Sequence, residues 1–185
     1  MEALEAIVTR VSPQKLGGPG PTPQEFDRII EAATTAPDHG RLKPWRFIMI
    51  AGAARSRLGD LMAASLLTRE PATGEQRLQA EREKALRAPA IVVVVATPRE
   101  GTAIPYIEQI VAVGAATQNL QLAAHALGYG AFWRTGALAY DRTVMDALGL
   151  APGESIIGFI YIGSVALPGK PRSPVSTLPI GAWPG

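Results

Sequence analysis

The chain has 185 residues, of which 47% are hydrophobic and 18% are charged, so it can bury a core and is not disordered over most of its length. The formal net charge is +2 and charges of both signs are interspersed, which excludes a basic nucleic-acid-binding stripe. There is no cysteine, which excludes disulfides, thiolate nucleophiles and cysteine-based metal sites.

The acidic, amphipathic N-terminus does not resemble a secretory signal, and the apolar run at residues 91–96 is too short to span a bilayer. We therefore expect residues 1–185 to form one domain that resides in the cytoplasm and does not bind a membrane. Proline and glycine cluster at residues 13–23 and 168–185. Both segments are expected to be irregular and extended, the second as a C-terminal arm that starts at about residue 168.

Hydrophobic periodicity and turn residues predict elements in the order α-α-β-α-α-β-α-β-α-β. The expected helices cover residues 2–10, 22–37, 54–67, 75–86, 105–127 and 141–148, and the expected strands cover residues 45–51, 90–96, 131–134 and 155–163. Thr22, Pro23 and Glu25 form a helix-start signature, Asp141 is a predicted N-cap and Gly128 a predicted C-cap. This order predicts an α+β fold, a three-layer α/β/α sandwich.

The helix expected at residues 105–127 is apolar along its length, and its middle is rich in small residues such as Gly114 and Ala115. An apolar helix of this length must be buried from several sides, and small residues let another backbone approach closely. In a domain of this size, a partner subunit could provide one of those sides.

Three segments carry residues suited to an anionic, planar ligand. Arg10 and Ser12 follow the first helix, His39 lies in a Pro-Asp-His-Gly turn, and Trp133-Arg134 ends a strand. Simpler roles remain open, since Arg10 could be an exposed cation at a helix C-terminus and Arg134 could pair with an acid.

Neither of the two histidines supports hydrolytic or metal chemistry. His39 has no recognisable third partner for a hydrolase triad, and its spacing from His125 is not that of a metal site. We expect His125 to be a packed or interface residue, and no catalytic side chain or metal ligand is predicted.

Taken together, these segments resemble the nitroreductase family, and most closely its small, single-domain bacterial members. Such proteins begin with a helix that ends in Arg-Arg-Ser, which Arg10-Val11-Ser12 matches in part. Residues 130–137 match a Gly-x-x-Trp-Arg-x-Gly-Ala motif, and residues 158–163 match a Gly-Phe-x-Tyr-x-Gly strand. A loop with Pro37, Asp38 and His39 ahead of Pro44-Trp45 is also similar, and the matches cover nearly the whole chain in order.

The resemblance implies an FMN-dependent reductase that uses NADH or NADPH to reduce small acceptors such as nitroaromatics or quinones by a ping-pong mechanism. It also implies an intertwined homodimer with two flavins at the interface, and a C-terminal arm that embraces the partner. The positions it assigns to the flavin, all from one subunit, are Arg10, Val11, Ser12, Thr35, His39, Phe132, Trp133 and Arg134.

One position departs from the family pattern, since Val11 stands where an arginine is common. Lys15 or Arg134 could replace the lost charge. Other functions also remain open: a flavin-binding sensor or carrier with little turnover, or a flavin-remodelling or dehalogenating member of the wider family.

Overall fold

The computed structural model describes residues 1–171, 173 and 179–183. Its helices are α1 (Ala3–Thr9), α2 (Pro23–Thr34), α3 (Ala54–Arg69), α4 (Glu75–Lys84), α5 (Tyr106–Ala126) and α6 (Arg142–Ala147). Its strands are β1 (Lys15–Gly17), β2 (Trp45–Ala51), β3 (Ala90–Ala96), β4 (Gly130–Arg134) and β5 (Ser155–Leu167). Two short 3₁₀ turns cover His39–Arg41 and Ala137–Tyr140.

In this part of the chain the strands form one five-stranded sheet with the order β1-β5-β3-β2, in which β4 also pairs with β5. Every pairing is antiparallel. The long strand β5 pairs with β3 over residues 155–162, with β4 over residues 159–163 and with β1 over residues 164–167. Strand β5 therefore connects the other strands into one sheet.

Strand β3 is buried on both faces, and its alternating side chains divide the core into two layers. Val92 and Val94 pack with residues of α2 and α5, whereas Ile91 and Val93 pack with residues of α3 and α6. Helices thus cover both faces of the sheet, which confirms the predicted α+β, three-layer α/β/α sandwich.

The predicted helix ends are confirmed at atomic detail. The Thr22 hydroxyl accepts a hydrogen bond from the Glu25 amide, the Glu25 carboxylate accepts one from the Thr22 amide, and Tyr129 also donates to this carboxylate. Asp141 accepts hydrogen bonds from the amides of the first turn of α6, and Gly128 after α5 has a φ of 89°. The capping signals involve residues close in sequence, so the sequence alone was enough to predict them, whereas the Tyr129 bond joins residues 104 positions apart.

Strand β1 was not predicted. It lies within the proline-rich segment that we expected to be irregular, and it forms because residues 164–167 extend β5 beyond its predicted end. The described residues beyond Leu167 belong to no helix or strand. Residues 172, 174–178, 184 and 185 of the expected C-terminal arm lie outside the described residues.

Helix α1 has the predicted apolar spacing, but its apolar face is not buried within one chain. Leu4, Ile7 and Val8 are exposed, and Ala6 is the buried residue of the helix. On α5, Ile107 and Val111 are each 64% exposed. The apolar surfaces of both helices are therefore available to a partner. Among the described residues, no helix has both the length and the apolar character needed to cross a bilayer.

Candidate functional site

Two cavities flank Arg134 at the end of β4. Cavity A, of about 550 Å³, lies between β4 and helices α3 and α4, and cavity B, of about 540 Å³, lies between β4 and the β1 segment. Both volumes are typical of small-molecule sites. Phe132, Arg134 and Tyr161 line both cavities, so they form the wall between them.

This wall combines a cation with flat aromatic surface. The Arg134 guanidinium carbon lies 4.4 Å from the centroid of the Phe132 ring and 5.9 Å from that of Tyr161. Phe132 and Arg134 are two residues apart on one strand, so their side chains project from the same face of the sheet. Burial raises the pKa of Tyr161 although the charges of Arg134 and Arg87 oppose the shift, so its hydroxyl is protonated at neutral pH and can donate a hydrogen bond.

Cavity B is positively charged. Lys15, Arg87 and Arg134 line it, and none of its described lining residues is acidic. Pro13 and Gln14 complete the side that leads from residues 10–12 into β1. Such a set of cations favours a ligand with a phosphate or another anionic group.

In cavity A, cations are paired with acidic side chains to a greater extent than in cavity B. Its lining includes Arg77 and Lys84, but Arg77 forms an ion pair of 2.5 Å with Glu70, and Lys84 pairs with Glu81. Cavity B is therefore the better site for an anion, while cavity A offers a mixed polar and apolar surface beside the same aromatic wall.

Residues 10–12 lie at the end of α1, next to the C-terminal part of α5. Thr9 Oγ1 lies 2.9 Å from His125 Nε2, and burial together with the charge of Arg10 lowers the pKa of His125. Val11 is half-buried and Ser12 exposed, and a Cβ at Gly169 would lie 2.1 Å from the Ser12 carbonyl oxygen. The first residues after β5 therefore run against this segment.

Trp133 belongs to the core. Its Nε1 donates a hydrogen bond of 3.1 Å to the Ile157 carbonyl, and its indole packs on the layer that contains α2 and α5. A Cβ at Gly158 would lie 2.1 Å from Trp133 Nε1, so this glycine leaves space for the indole. The structure thus places the Trp133 side chain on the sheet face opposite Phe132 and Arg134.

Thr35 and His39 lie in the segment that ends α2 and follows it, and only His39 contacts the N-terminal end of α5. Thr35 is exposed at the end of α2, where its hydroxyl donates to the Ala32 carbonyl. His39 Nδ1 lies 2.6 Å from Glu108 Oε2 in the first turn of α5. The sequence did not reveal this partner of His39, because the fold brings together residues that are 69 positions apart.

The predicted flavin residues therefore fall into two groups within one chain. One group lies close to His125 and cavity B, and the other close to Glu108, at the opposite end of α5. The helical rise separates these two α5 positions by about 25 Å. One chain keeps His39 and residues 10–12 at opposite ends of α5, and the assignment of all these residues to the flavin stays a prediction.

Sequence reasoning missed two residues that line the cavities, Tyr161 and Arg87. Tyr161 lies in the motif at residues 158–163, and its alternation with Phe159 on a predicted strand was a usable signal. Arg87 follows a charged helix and carried no such signal, since only the tertiary fold brings it to cavity B. Among the described residues, no group of three or more histidine, aspartate or glutamate side chains could hold a metal ion.

Comparisons with known proteins agree with this architecture. A family model described as "Nitroreductase family" matches residues 7–164. The Escherichia coli protein named "Putative NAD(P)H nitroreductase YdjA" is 34% identical over 167 residues, which cover 90% of each chain. A nitroreductase-like protein from Bacillus cereus, of known structure, superposes with a TM-score of 0.81 at 28% identity, over 94% of this chain and 92% of that one. A protein from Desulfovibrio desulfuricans, solved in complex with FMN, superposes with a TM-score of 0.75 at 26% identity, over 100% and 99% of the two chains.

Proposed function

Because this chain belongs to the nitroreductase family, we propose that it is an FMN-dependent oxidoreductase that uses NADH or NADPH to reduce small organic acceptors such as nitroaromatics or quinones. The name of the Escherichia coli relative supports the nicotinamide substrate, and the FMN complex of the Desulfovibrio protein supports the cofactor.

The observation that carries the proposal is the composition of cavity B. FMN combines an anionic phosphate with a planar ring system, and the cations Lys15, Arg87 and Arg134 lie here beside the rings of Phe132 and Tyr161. Lys15 and Arg134 line the same cavity, so they supply charge close to the position where Val11 replaces an arginine. The residues present therefore fit the cofactor.

The protein's own part in the reaction is to bind and orient FMN and to shield it from water. When bound, FMN supplies the chemistry of hydride transfer from the nicotinamide to the acceptor, so no protein nucleophile is required. Arg134 and Lys15 would hold the anionic group of FMN, the aromatic wall would limit access of water, and the Tyr161 hydroxyl would be available to donate a hydrogen bond to the cofactor. Cavity A, on the other side of the wall, provides room for a second small molecule.

We further propose that the active form is a homodimer in which each flavin site combines two chains. Thr35 and His39 of one chain would complete the site formed by residues 10–12 and 132–134 of the other, because a single chain keeps His39 and residues 10–12 at opposite ends of α5. The exposed apolar residues of α1 and α5 supply surface for this contact.

The test is spectroscopic. The purified protein is reconstituted with FMN, freed of excess cofactor and titrated anaerobically with NADH and with NADPH, after which a quinone is added. We expect a flavin absorption band that is bleached by at least one nicotinamide and restored by the quinone. A bound flavin that neither nicotinamide bleaches would identify a carrier or sensor, and a protein that binds no FMN would refute the proposal.

A further inference from the structure

We propose that Glu108 is a positioning residue that fixes the His39 imidazole so that its Nε2 atom is presented to the flavin. This inference rests on the proposed function and adds a residue to that site. The observation behind it is the contact of 2.6 Å between His39 Nδ1 and Glu108 Oε2.

Because the contact with Glu108 occupies Nδ1, it leaves Nε2 as the ring nitrogen of His39 that can bind a ligand. A carboxylate oxygen only accepts hydrogen bonds, so Nδ1 must carry the proton that lies between the two groups. In the neutral ring, Nε2 is then a hydrogen-bond acceptor with a fixed direction, and in the protonated ring it is a donor with the same direction. An acid that orients a histidine in this way sets its tautomer and its ring plane.

The backbone around His39 is held in an uncommon conformation. Arg41 and Lys43, with φ of 53° and 48°, are the two non-glycine residues of the described chain with positive φ, and Gly40 between His39 and Arg41 has a φ of 74°. The Asp38 carboxylate accepts a hydrogen bond of 2.6 Å from the Lys43 amide and closes the turn. Backbone strain of this kind is concentrated at functional sites and persists only where the surrounding structure enforces it.

The backbone that carries Glu108 is also held in place. It lies in the first turn of α5, where a negative charge interacts favourably with the helix dipole. The next residue, Gln109, is buried, and its side-chain amide accepts from the Arg99 amide and donates to the carbonyls of Arg99 and Ile104. Two rigid segments therefore meet at the His39–Glu108 contact.

The pair contributes little to the stability of one chain. The side chains of His39 and Glu108 are 65% and 46% exposed, and ion pairs exposed to this degree have small effects on folding. The contact is thus better suited to orienting a ligand-binding group than to stabilising the fold.

Two measurements test the proposal. The chain has two histidines, so ¹⁵N NMR at alkaline pH, assigned with His39→Ala, reports the tautomer of each ring. We expect His39 to be Nδ1-protonated in the wild-type protein and in Glu108→Gln, whose amide oxygen can still accept, and mainly Nε2-protonated in Glu108→Ala. We also expect Glu108→Ala to weaken FMN binding by about fivefold, the effect of one neutral hydrogen bond.

The double variant separates positioning from a structural role. If Glu108 acts through His39, then His39→Ala/Glu108→Ala binds FMN no more weakly than His39→Ala alone. Asp146→Ala, which removes the exposed Arg142–Asp146 ion pair on α6, is the matched control and should leave both measurements unchanged. Additive losses in the double variant, or an unchanged tautomer in Glu108→Ala, would overturn the inference while the FMN function stands. A wild-type protein that binds no FMN would refute the function, and with it the role of this pair toward the flavin.

Discussion

At the scale of single residues, the Trp133 indole occupies the space in which a side chain at position 158 would lie. Any side chain at position 158 would overlap the Trp133 indole, which is held by its bond to the Ile157 carbonyl. We expect Gly158→Ser to destabilise the fold by about 1–3 kcal/mol through overpacking, measured as a lower urea midpoint. Gly74→Ser is the control, because a Cβ at that helix N-cap meets nothing within 4 Å and serine is a favoured cap. Equal effects of the two variants would contradict this account.

Arg134 provides the residue-scale test of the anion site. Hydrogen bonds to charged groups contribute about 1.5–3 kcal/mol, so Arg134→Ala should weaken FMN binding by about 10- to 100-fold. Riboflavin, which lacks the phosphate, should lose much less affinity. Arg142→Ala, at a residue that does not line cavity B, is the matched control, and Arg10→Ala tests whether Arg10 belongs to the same site. Fluorescence titration with both ligands measures the effect, and equal losses for FMN and riboflavin would show that Arg134 contacts the ring system instead.

The residues of the candidate site could be predicted individually, but their grouping could not. Arg10, His39 and Arg134 were suggested by their chemistry and by the motifs around them. The separation of His39 from Arg10, and the contact between His39 and Glu108, depend on which ends of α5 the two loops reach. No local pattern in the sequence encodes that long-range placement.

At the scale of whole elements, one ion pair ties the loop after α6 to the edge strand β2. Arg46 Nε and Nη2 donate to the two Glu154 carboxylate oxygens at 2.9 and 2.6 Å, and Nη2 also donates to the Gly149 carbonyl. The bond from Arg46 is the main cause of a lowered pKa of Glu154. This contact therefore links the stability of two elements to pH.

The sign of that dependence follows from the direction of the shift. A carboxyl with a lowered pKa in the folded state contributes its full stability above its ordinary pKa of 4.5, and this contribution is lost as the pH falls through the lowered value. We expect the urea midpoint to fall as the pH is lowered from about 7 to about 3, and to fall less steeply in Glu154→Gln. Some acid dependence will persist, because the pKa of Asp141 is lowered by its Ser65 bond as well. An unchanged slope in the variant would show that the pair does not contribute.

Elements with local signals were predicted well, and those that depend on tertiary pairing were not. Capping residues and apolar periodicity were sufficient for α2, α5 and α6. Strand β1 has three residues, and its pairing with residues 164–167 of β5 was not visible in either segment alone. The periodicity of α1 predicted a helix, but it did not reveal that the apolar face is left exposed by the chain itself.

At the scale of the whole molecule, the exposed apolar surface of α5 leads to a prediction about assembly. If α5 contacts a second chain, Val111→Glu should place a charge in that contact, produce monomers and reduce FMN retention. Leu67→Glu on α3, which replaces another exposed apolar residue away from α5, is the control and should leave a dimer. Sedimentation with absorbance detection of protein and flavin measures both effects. A flavin-loaded monomer of the wild-type protein would contradict the shared site.

The pairing of β3 has a consequence for how this protein is made. Strand β3, with its run of buried branched residues, lies between β2 and β5, yet β5 is synthesised only after residues 97–154 have followed β3 from the ribosome. During that interval one edge of an aggregation-prone strand has no partner. Nascent chains that stop before residue 155 should therefore be held by chaperones, and their release should coincide with the emergence of residues 155–167.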